Sequence, residues 1–433
     1  MKILVVTQYY APEPFRIPDV CRDLVRRGHD VTVLCGLPNY PAGRIYPGYS
    51  LFRKRKETLD GVHVLRSWLI PRGEGGKIRL VLNYLSFTVS AWLRHFRLAR
   101  QGFDAVFCYE VSPLTMALPA AAVARRAGIP LTLYLTDLWP ENVEAVNGVK
   151  NPRILEAIGR MAAWIYRRCD RILVPARPMI GRVTARGADP DRVLYWPQYA
   201  EDFYSPVPGG NGEEAPATVR PETRDGEGLP PETLGSSPFP VVFTGNIGTA
   251  QGLDILIEAA RRLDTRIGAT FFLVGDGRAR KPLQARIEAA GPEVADRIVF
   301  CGRVPGERVP DYLARAGAAL LTLAPDPVFS LYLPTKLQTY LASGLPILCA
   351  ADGAAPAVVA EAGAGLAVPA GDAAGLADAV GRMASMDPAE RAAMGRAARE
   401  YFERAFSKEK LMDELERWLA EPRIPVGEGK AHA

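Results

Sequence analysis

Val241-Val242-Phe243-Thr244-Gly245-Asn246-Ile247-Gly248-Thr249-Ala250-Gln251-Gly252 is the stretch on which the fold turns. A short apolar run ends in a glycine-rich turn, and a helical pattern over 252–263 follows it. Strand, glycine turn, helix is the opening half of a βαβ unit. Glycines let the backbone approach a ligand closely, and the helix that follows offers free N–H groups and a positive dipole end to an anion. A second such turn, Val274-Gly275-Asp276-Gly277, closes the next strand. Neither is a dinucleotide fingerprint. The first reads G-x-x-G-x-x-x-G, the second has Arg280 where a third glycine belongs, and no G-x-x-x-x-G-K-[ST] occurs. Tight packing explains either turn alone; two in one half of the chain favour a nucleotide.

The same rhythm runs outward in both directions. Strands at Thr270–Val274, Ile298–Cys301, Leu320–Leu323 and Ile347–Ala350 alternate with helical patterns over 279–290, 307–316 and 335–343. Upstream, Lys2–Thr7, Val31–Cys35, Val62–Ser67, Ala105–Tyr109, Leu131–Leu135 and Arg171–Val174 alternate with helices over 19–28, 78–100, 113–127 and 152–169. The class is α/β: two Rossmann-like, doubly wound domains expected to face a central cleft, where such folds bind ligands. Residues 205–238 break the pattern with seven prolines and six acidic residues against two arginines, which predicts a disordered acidic linker. The expected organisation is a first domain over 1–204, the linker, a second domain over 239–400, and a helix and tail over 401–433 returning toward the first domain.

A chain of 433 residues is too long for one ordinary domain, and 48% hydrophobic with 23% charged residues excludes disordered, collagenous and coiled-coil classes. Six scattered cysteines without C-x-x-C, behind an N-terminus that lacks a signal peptide, predict buried thiols in a reducing cytoplasm. None of the four histidines has a partner at i+3 or i+4, which argues against a His-based metal site. Asp189-Pro190-Asp191 mimics a metal-binding D-x-D but falls in a turn between helix and strand.

Leu333-Pro334-Thr335-Lys336-Leu337 opens a helix, where a cation opposes the dipole. A phosphate between Lys336 and the free N–H groups makes sense of it; a plain surface lysine is the alternative. The net charge of +5 hides an asymmetry, because residues 1–100 hold 17 Lys+Arg and 7 Asp+Glu. Arg53-Lys54-Arg55-Lys56 belongs to that basic part, as does the helix near 78–97. On that helix Ile78, Val81, Leu82, Leu85, Val89, Trp92, Leu93 and Phe96 share one face, with Arg79, Arg94 and Arg97 beside it. The pattern fits a helix packed on its own domain, or one lying on an anionic membrane surface. Nucleic acid is the rival partner for a basic patch, but no recognition module accompanies it.

The motifs together resemble the retaining GT-B glycosyltransferases of family 4 type, which build polysaccharides from nucleotide-sugars. The resemblance runs nearly end to end. It rests on Arg27-Gly28-His29-Asp30, Pro38-Asn39-Tyr40-Pro41, Asp137-Leu138-Trp139-Pro140-Glu141, the 244–252 turn, Val274–Gly277, Gly302-Arg303-Val304, and Leu333–Leu337 with Leu341–Ile347. The second and third segments look like the subgroup of colanic-acid and O-antigen L-fucosamine transferases.

That resemblance implies a transferase acting with retention, on a nucleotide-diphosphate sugar as donor and a polyprenyl-diphosphate-linked or polysaccharide acceptor. It implies no cofactor and no metal, because Lys336 would neutralise the leaving diphosphate. Gly245, Asn246, Gly248 and Gln251 would border the diphosphate with Leu337 and Thr339, and Gly275, Asp276, Gly277, Arg303 and Val304 the base. Asp137 and Glu141 are the implied catalytic carboxylates, with Glu13, Arg16, Asn39 and Tyr40 on the acceptor side. Glu141 also fits a carboxylate that complements a helix dipole.

The implied setting is cytoplasmic, peripheral on the inner face of the plasma membrane. Two departures stand out. Asn246 and Gln251 occupy places where relatives carry Arg and Lys, and Leu331 and Thr339 fall where they carry a glutamate pair, leaving sugar hydroxyls to Thr339, Gln338 or backbone. These departures keep open a catalytically silent sugar-nucleotide-binding protein, and the shared two-domain architecture a nucleotide-sugar epimerase.

Overall fold

A computed structural model describes residues 1–73, 76–145, 148–204 and 228–423. They form two units, one of Met1–Trp196 together with the chain from Glu409, the other of Pro197–Lys408. The first unit carries β1 (Lys2–Val6), β2 (Asp30–Gly36), β3 (Lys56–Leu59), β4 (Val62–Ser67), β5 (Ala105–Glu110), β6 (Leu131–Leu135), β7 (Arg171–Val174) and β8 (Val193–Tyr195). They make one sheet in the order β3-β4-β2-β1-β5-β6-β7-β8, parallel except for the β3–β4 hairpin. The second unit carries β9 (Phe239–Thr244), β10 (Ala269–Val274), β11 (Ile298–Gly302), β12 (Ala318–Thr322), β13 (Ile347–Ala350) and β14 (Gly365–Val368). Their order is β11-β10-β9-β12-β13-β14, all parallel.

Every residue of β5 and of β9 is buried, the expected outcome for parallel strands covered by helices on both faces. Helices start where capping chemistry allows. Asn151 accepts the Arg153 N–H ahead of Pro152, and Asp372 accepts that of Gly375. Asp189 does the same for Asp191, which makes Asp189-Pro190-Asp191 a capped turn.

The chain leaves the first unit at Trp196 instead of near 204, and returns to it at Glu409 instead of 401. The helix Pro388–Ala405 stays with the second unit, where Arg399 donates to the Ala342 carbonyl at 2.8 Å. The helix Lys408–Ala420 belongs almost wholly to the first: Trp196 donates to the Leu411 carbonyl at 2.8 Å, and Arg27 pairs with Asp413 and Glu416. Of the predicted linker, 205–227 lies outside the described residues. Residues 228–238 are structured, contrary to the expectation for that stretch. Pro231–Ser236 forms a 3-10 helix with Leu234 buried, and Tyr312 donates to the Leu229 carbonyl.

The helix Lys77–Trp92 decides between its two readings in part. Asn83, Phe87, Thr88 and Ala91 are its buried residues. The apolar stripe from Ile78 to Phe96 faces outward instead of packing on its own domain.

Candidate functional site

In the second unit the strand order reverses between β9 and β12, the kind of switch point at which open α/β sheets bind ligands. Three turns are laced together there. The Gly245 N–H donates to the Val274 carbonyl at 2.9 Å, Ile247 to Asp276 at 2.9 Å, and Gly275 to Gly302 at 2.7 Å. Gly275 has φ +146°, and a Cβ on it would lie 1.9 Å from the Gly245 carbonyl oxygen; one on Gly277 would lie 2.3 Å from that of Ile247. These two glycines exist for turn-on-turn packing. At Gly245 a Cβ would meet nothing within 4 Å, so that corner is open.

Lys336 reaches this corner from the first turn of the helix Thr335–Ala342. Its ammonium donates to Gln251 Oε1 and lies 3.8 Å from the centroid of the Phe243 ring. No carboxylate pairs with it among the described residues. Burial, with no opposing charge, pushes its pKa down to about 7. One turn along, the Tyr340 hydroxyl accepts the Thr244 N–H at 2.9 Å and ties the helix to the end of β9.

The structure therefore brings Gly245, Gln251 and Lys336 together, with Asn246 against Gly277 and Gly275 bonded to the residue before Arg303. Asn246, Asp276 and Arg303 are exposed, and Gly248 and Val304 half-buried. Two expectations are corrected. Leu337 and Gln338 are fully buried, and the nearly buried Thr339 donates to the Thr335 carbonyl at 3.4 Å. The side chains of Leu337 and Gln338 are inside the unit, and Thr339 is engaged with its own helix.

In the first unit the loops after β1, β2, β5 and β6 gather at the carboxyl edge. Glu13 is buried; its carboxylate accepts the N–H groups of Asn39 and Tyr40 at 2.8 Å each and that of Tyr10 at 3.2 Å. Burial pushes it up to about 7 against those hydrogen bonds. It braces the Asn39–Tyr40 loop, so its role is positioning. Asn39 is itself buried, its side-chain Oδ1 accepting from the Arg72 backbone N–H at 3.2 Å and from Asn83 Nδ2 at 3.3 Å. Tyr40 is half-buried beside Phe15, with ring centroids 5.2 Å apart. Arg16 is half-buried at the start of the helix Ile17–Arg26.

Sequence reasoning missed two groups. The Arg72 guanidinium lies 5.1, 5.2 and 5.5 Å from the ring centroids of Tyr9, Tyr40 and Tyr84, and donates to the hydroxyls of Tyr9 and Tyr84. Nothing in the irregular stretch around it marks it out. Glu110 had a signal: it is a carboxylate ending an otherwise apolar strand, at the edge where ligands bind. It is fully buried and accepts the N–H groups of Ser112, Thr136 and Asp137 at 2.6, 3.1 and 3.2 Å. Burial first, and then Asp137, raise its pKa well above the carboxylate range. Asp137 accepts from Asn142 Nδ2 at 2.6 Å and is pushed up to about 6 by burial. Glu141 does not join them, since its carboxylate is bound to Arg186.

Residues 238–386 match the family model described as Glycosyl transferases group 1, and residues 16–198 that described as Glycosyl transferase 4-like domain. The chain belongs to the family 4 type glycosyltransferases of the GT-B fold. It is 24% identical over 355 residues to the protein named "Putative colanic acid biosynthesis glycosyl transferase WcaI" of Escherichia coli strain K12, covering 79% of this chain and 82% of that one. It superposes on Anabaena Alr3699/HepE in complex with UDP with a TM-score of 0.68 at 16% identity, over 97% of this chain and 100% of that one. It also superposes on WaaG, a glycosyltransferase involved in lipopolysaccharide biosynthesis, with a TM-score of 0.63 at 14% identity, over 97% and 99%.

Proposed function

We propose that this glycosyltransferase moves a sugar from a UDP-type donor to a lipid-linked or polysaccharide acceptor, with retention and without metal, in the making of cell-surface polysaccharide. N-acetylated amino and deoxy sugars fit the resemblance best. The reading is supported by the names of the relatives in colanic-acid and lipopolysaccharide synthesis and by the UDP complex of the Anabaena protein. The observation that carries it is Lys336, a part-buried amine with no carboxylate partner among the described residues, beside the open Gly245 corner.

A donor diphosphate supplies the missing charge. As the bond from the anomeric carbon to the diphosphate oxygen breaks, Lys336 neutralises the leaving group, and that oxygen takes the proton of the acceptor hydroxyl. The new carbon–oxygen bond forms on the face the diphosphate leaves. Asp137 hydrogen-bonds a sugar hydroxyl, with Glu110 holding its loop. Glu141, bound to Arg186, serves structure. A panel of UDP- and GDP-sugars with a polyprenyl-diphosphate saccharide, with and without chelator, tests the reading. Lys336→Ala should lower transfer by about 100-fold or more, the scale set by removing one preorganised charge-stabilising group. Intact transfer in that variant refutes the assignment. An epimerised donor without acceptor, or tight nucleotide binding without turnover, would favour the two alternative readings.

A further inference from the structure

Arg72 follows β4 at the carboxyl edge of the first sheet, and the fold fixes the loop that carries it. Its own backbone N–H donates to Asn39 Oδ1 at 3.2 Å. On one side the Ile70 carbonyl accepts from Asn83 Nδ2 at 2.6 Å and the Ile70 N–H donates to Ser86 Oγ at 2.9 Å. On the other the Gly73 N–H donates to the Gly43 carbonyl at 2.8 Å. The rings of Tyr9, Tyr40 and Tyr84 box the guanidinium, and Nη2 donates to the hydroxyls of Tyr9 and Tyr84. Nε is buried without a partner, and Nη1 makes no hydrogen bond among the described residues. A preorganised cation of this kind is the mark of a built binding site.

Stacking on rings satisfies the faces of a guanidinium and leaves its in-plane N–H donors in want of acceptors. No carboxylate pairs with Arg72 among the described residues, and the Glu13 carboxylate is taken by the N–H groups of Tyr10, Asn39 and Tyr40. A carboxylate or phosphate supplies two acceptor oxygens in the plane of the fork. Tyr84 adds a donor, since an oxygen that accepts from Arg72 at 3.3 Å keeps its own proton to give. The same residue ties the box to the Asp137 loop. Its ring centroid lies 6.4 Å from that of Trp139; burial raises its phenol pKa, Arg72 lowers it and Asp137 raises it again. The cation and the Asp137 carboxylate therefore act on one hydroxyl.

We propose that Arg72 and the Tyr84 hydroxyl form an anion subsite of the first unit, which binds a carboxylate or phosphate group of the acceptor and so selects charged acceptors over neutral ones. The proposal rests on the reading of this edge as the acceptor side. Calorimetric titration of the full chain, with UDP in excess to keep anions from the Lys336 corner, compares methyl glucoside, methyl glucuronide, glucose 6-phosphate and farnesyl diphosphate. At least one anion should bind about tenfold or more tighter than the glucoside, the scale of a hydrogen bond to a charged group. Tight glucuronide or glucose 6-phosphate makes the saccharide the source of the charge; tight farnesyl diphosphate makes it the lipid. Arg72→Met should bring the favoured anion down to the affinity of the glucoside, and Arg72→Lys should keep part of the preference. The ratio of anion to glucoside affinity does not move with a mere loss of packing. Should the Met variant fail to fold, Tyr84→Phe, which keeps the ring, decides by lowering the same ratio severalfold. Equal binding of all four probes overturns the proposal, as does a preference that survives in Arg72→Met or is untouched in Tyr84→Phe. Binding is read without turnover, so the transfer assay and this ratio can each fail alone.

Discussion

Donor binding should take up a proton through Lys336. In the free chain burial holds its pKa at about 7, with Gln251 as the ammonium's hydrogen-bond acceptor. At pH 8 such a group is about nine-tenths deprotonated. A diphosphate beside it favours the charged form and raises its pKa. Each donor bound at pH 8 then draws in about 0.9 proton, and at pH 6 about 0.1. Affinity should be flat below pH 7 and fall as pH rises above it, up to about tenfold per unit, until pH passes the bound-state value. Between pH 7 and 9 that loss reaches up to about 50-fold, or about 2.3 kcal/mol. A nucleotide-sugar is the right titrant, because its diphosphate is esterified at both ends and releases no proton in this range. Calorimetric titration in two buffers of different ionisation enthalpy counts the proton. Uptake below about 0.3 at pH 8 refutes the reasoning. Uptake that persists in Lys336→Met refutes it as well.

Glu13 makes a stability prediction of definite sign. Its folded value of about 7 lies above the ordinary 4.5, so between those values the folded chain holds a proton that the unfolded chain has released. Its contribution is present at low pH and declines as pH rises through that window, by up to about 3 kcal/mol; Glu13→Gln should flatten the slope in urea melts at stepped pH, and an unchanged slope counts against it. Asn142→Ala removes the hydrogen bond that favours ionised Asp137, and should raise the acid limb of the transfer-rate profile from near pH 6 by about one to two units, as a charged hydrogen bond of about 1.5–3 kcal/mol requires. No shift would take Asp137 out of the chemistry. Gly275→Ala forces a Cβ onto the Gly245 carbonyl and should cost about 3 kcal/mol or more and abolish donor binding, whereas Gly245→Ala meets open space and should cost about 1 kcal/mol of backbone strain. Equal losses of melting temperature in the two variants would contradict this.

The two sheets were legible because their central strands are buried on both faces and read as unbroken apolar runs. The strands that escaped notice lack that signature. β3 is Lys56-Glu57-Thr58-Leu59, a polar hairpin edge; β8 is three residues long; β14 is largely half-buried at the other sheet's edge. Composition misjudged 228–238, because proline and acidic content says nothing of a single leucine that finds a pocket. Periodicity grouped Ile78 to Phe96 on one face but could not say whether anything covers it. That depended on Phe87 and Ala91, on the other side of the helix, being the residues that pack. Lys336 was visible from its place at a helix start. Gln251 was named from the glycine turn, but its contact with Lys336 was not, because the two meet across 85 residues of sequence.

The perturbed carboxylates and the perturbed lysine share a place in the two sheets. Lys336 stands at the carboxyl edge of one sheet, and Glu13, Glu110 and Asp137 at the carboxyl edge of the other. Each is moved toward its neutral form by burial. Burial of an ionisable group in this way opposes folding, so a chain selected for stability alone would put apolar residues in these places. Glu141 shows the contrasting case a few residues from Asp137. It meets Arg186, and the dipole-complementing reading of a helix-start carboxylate suffices. These four stand where α/β sheets present their loops to ligands, in each unit by itself, as perturbed groups at functional sites do.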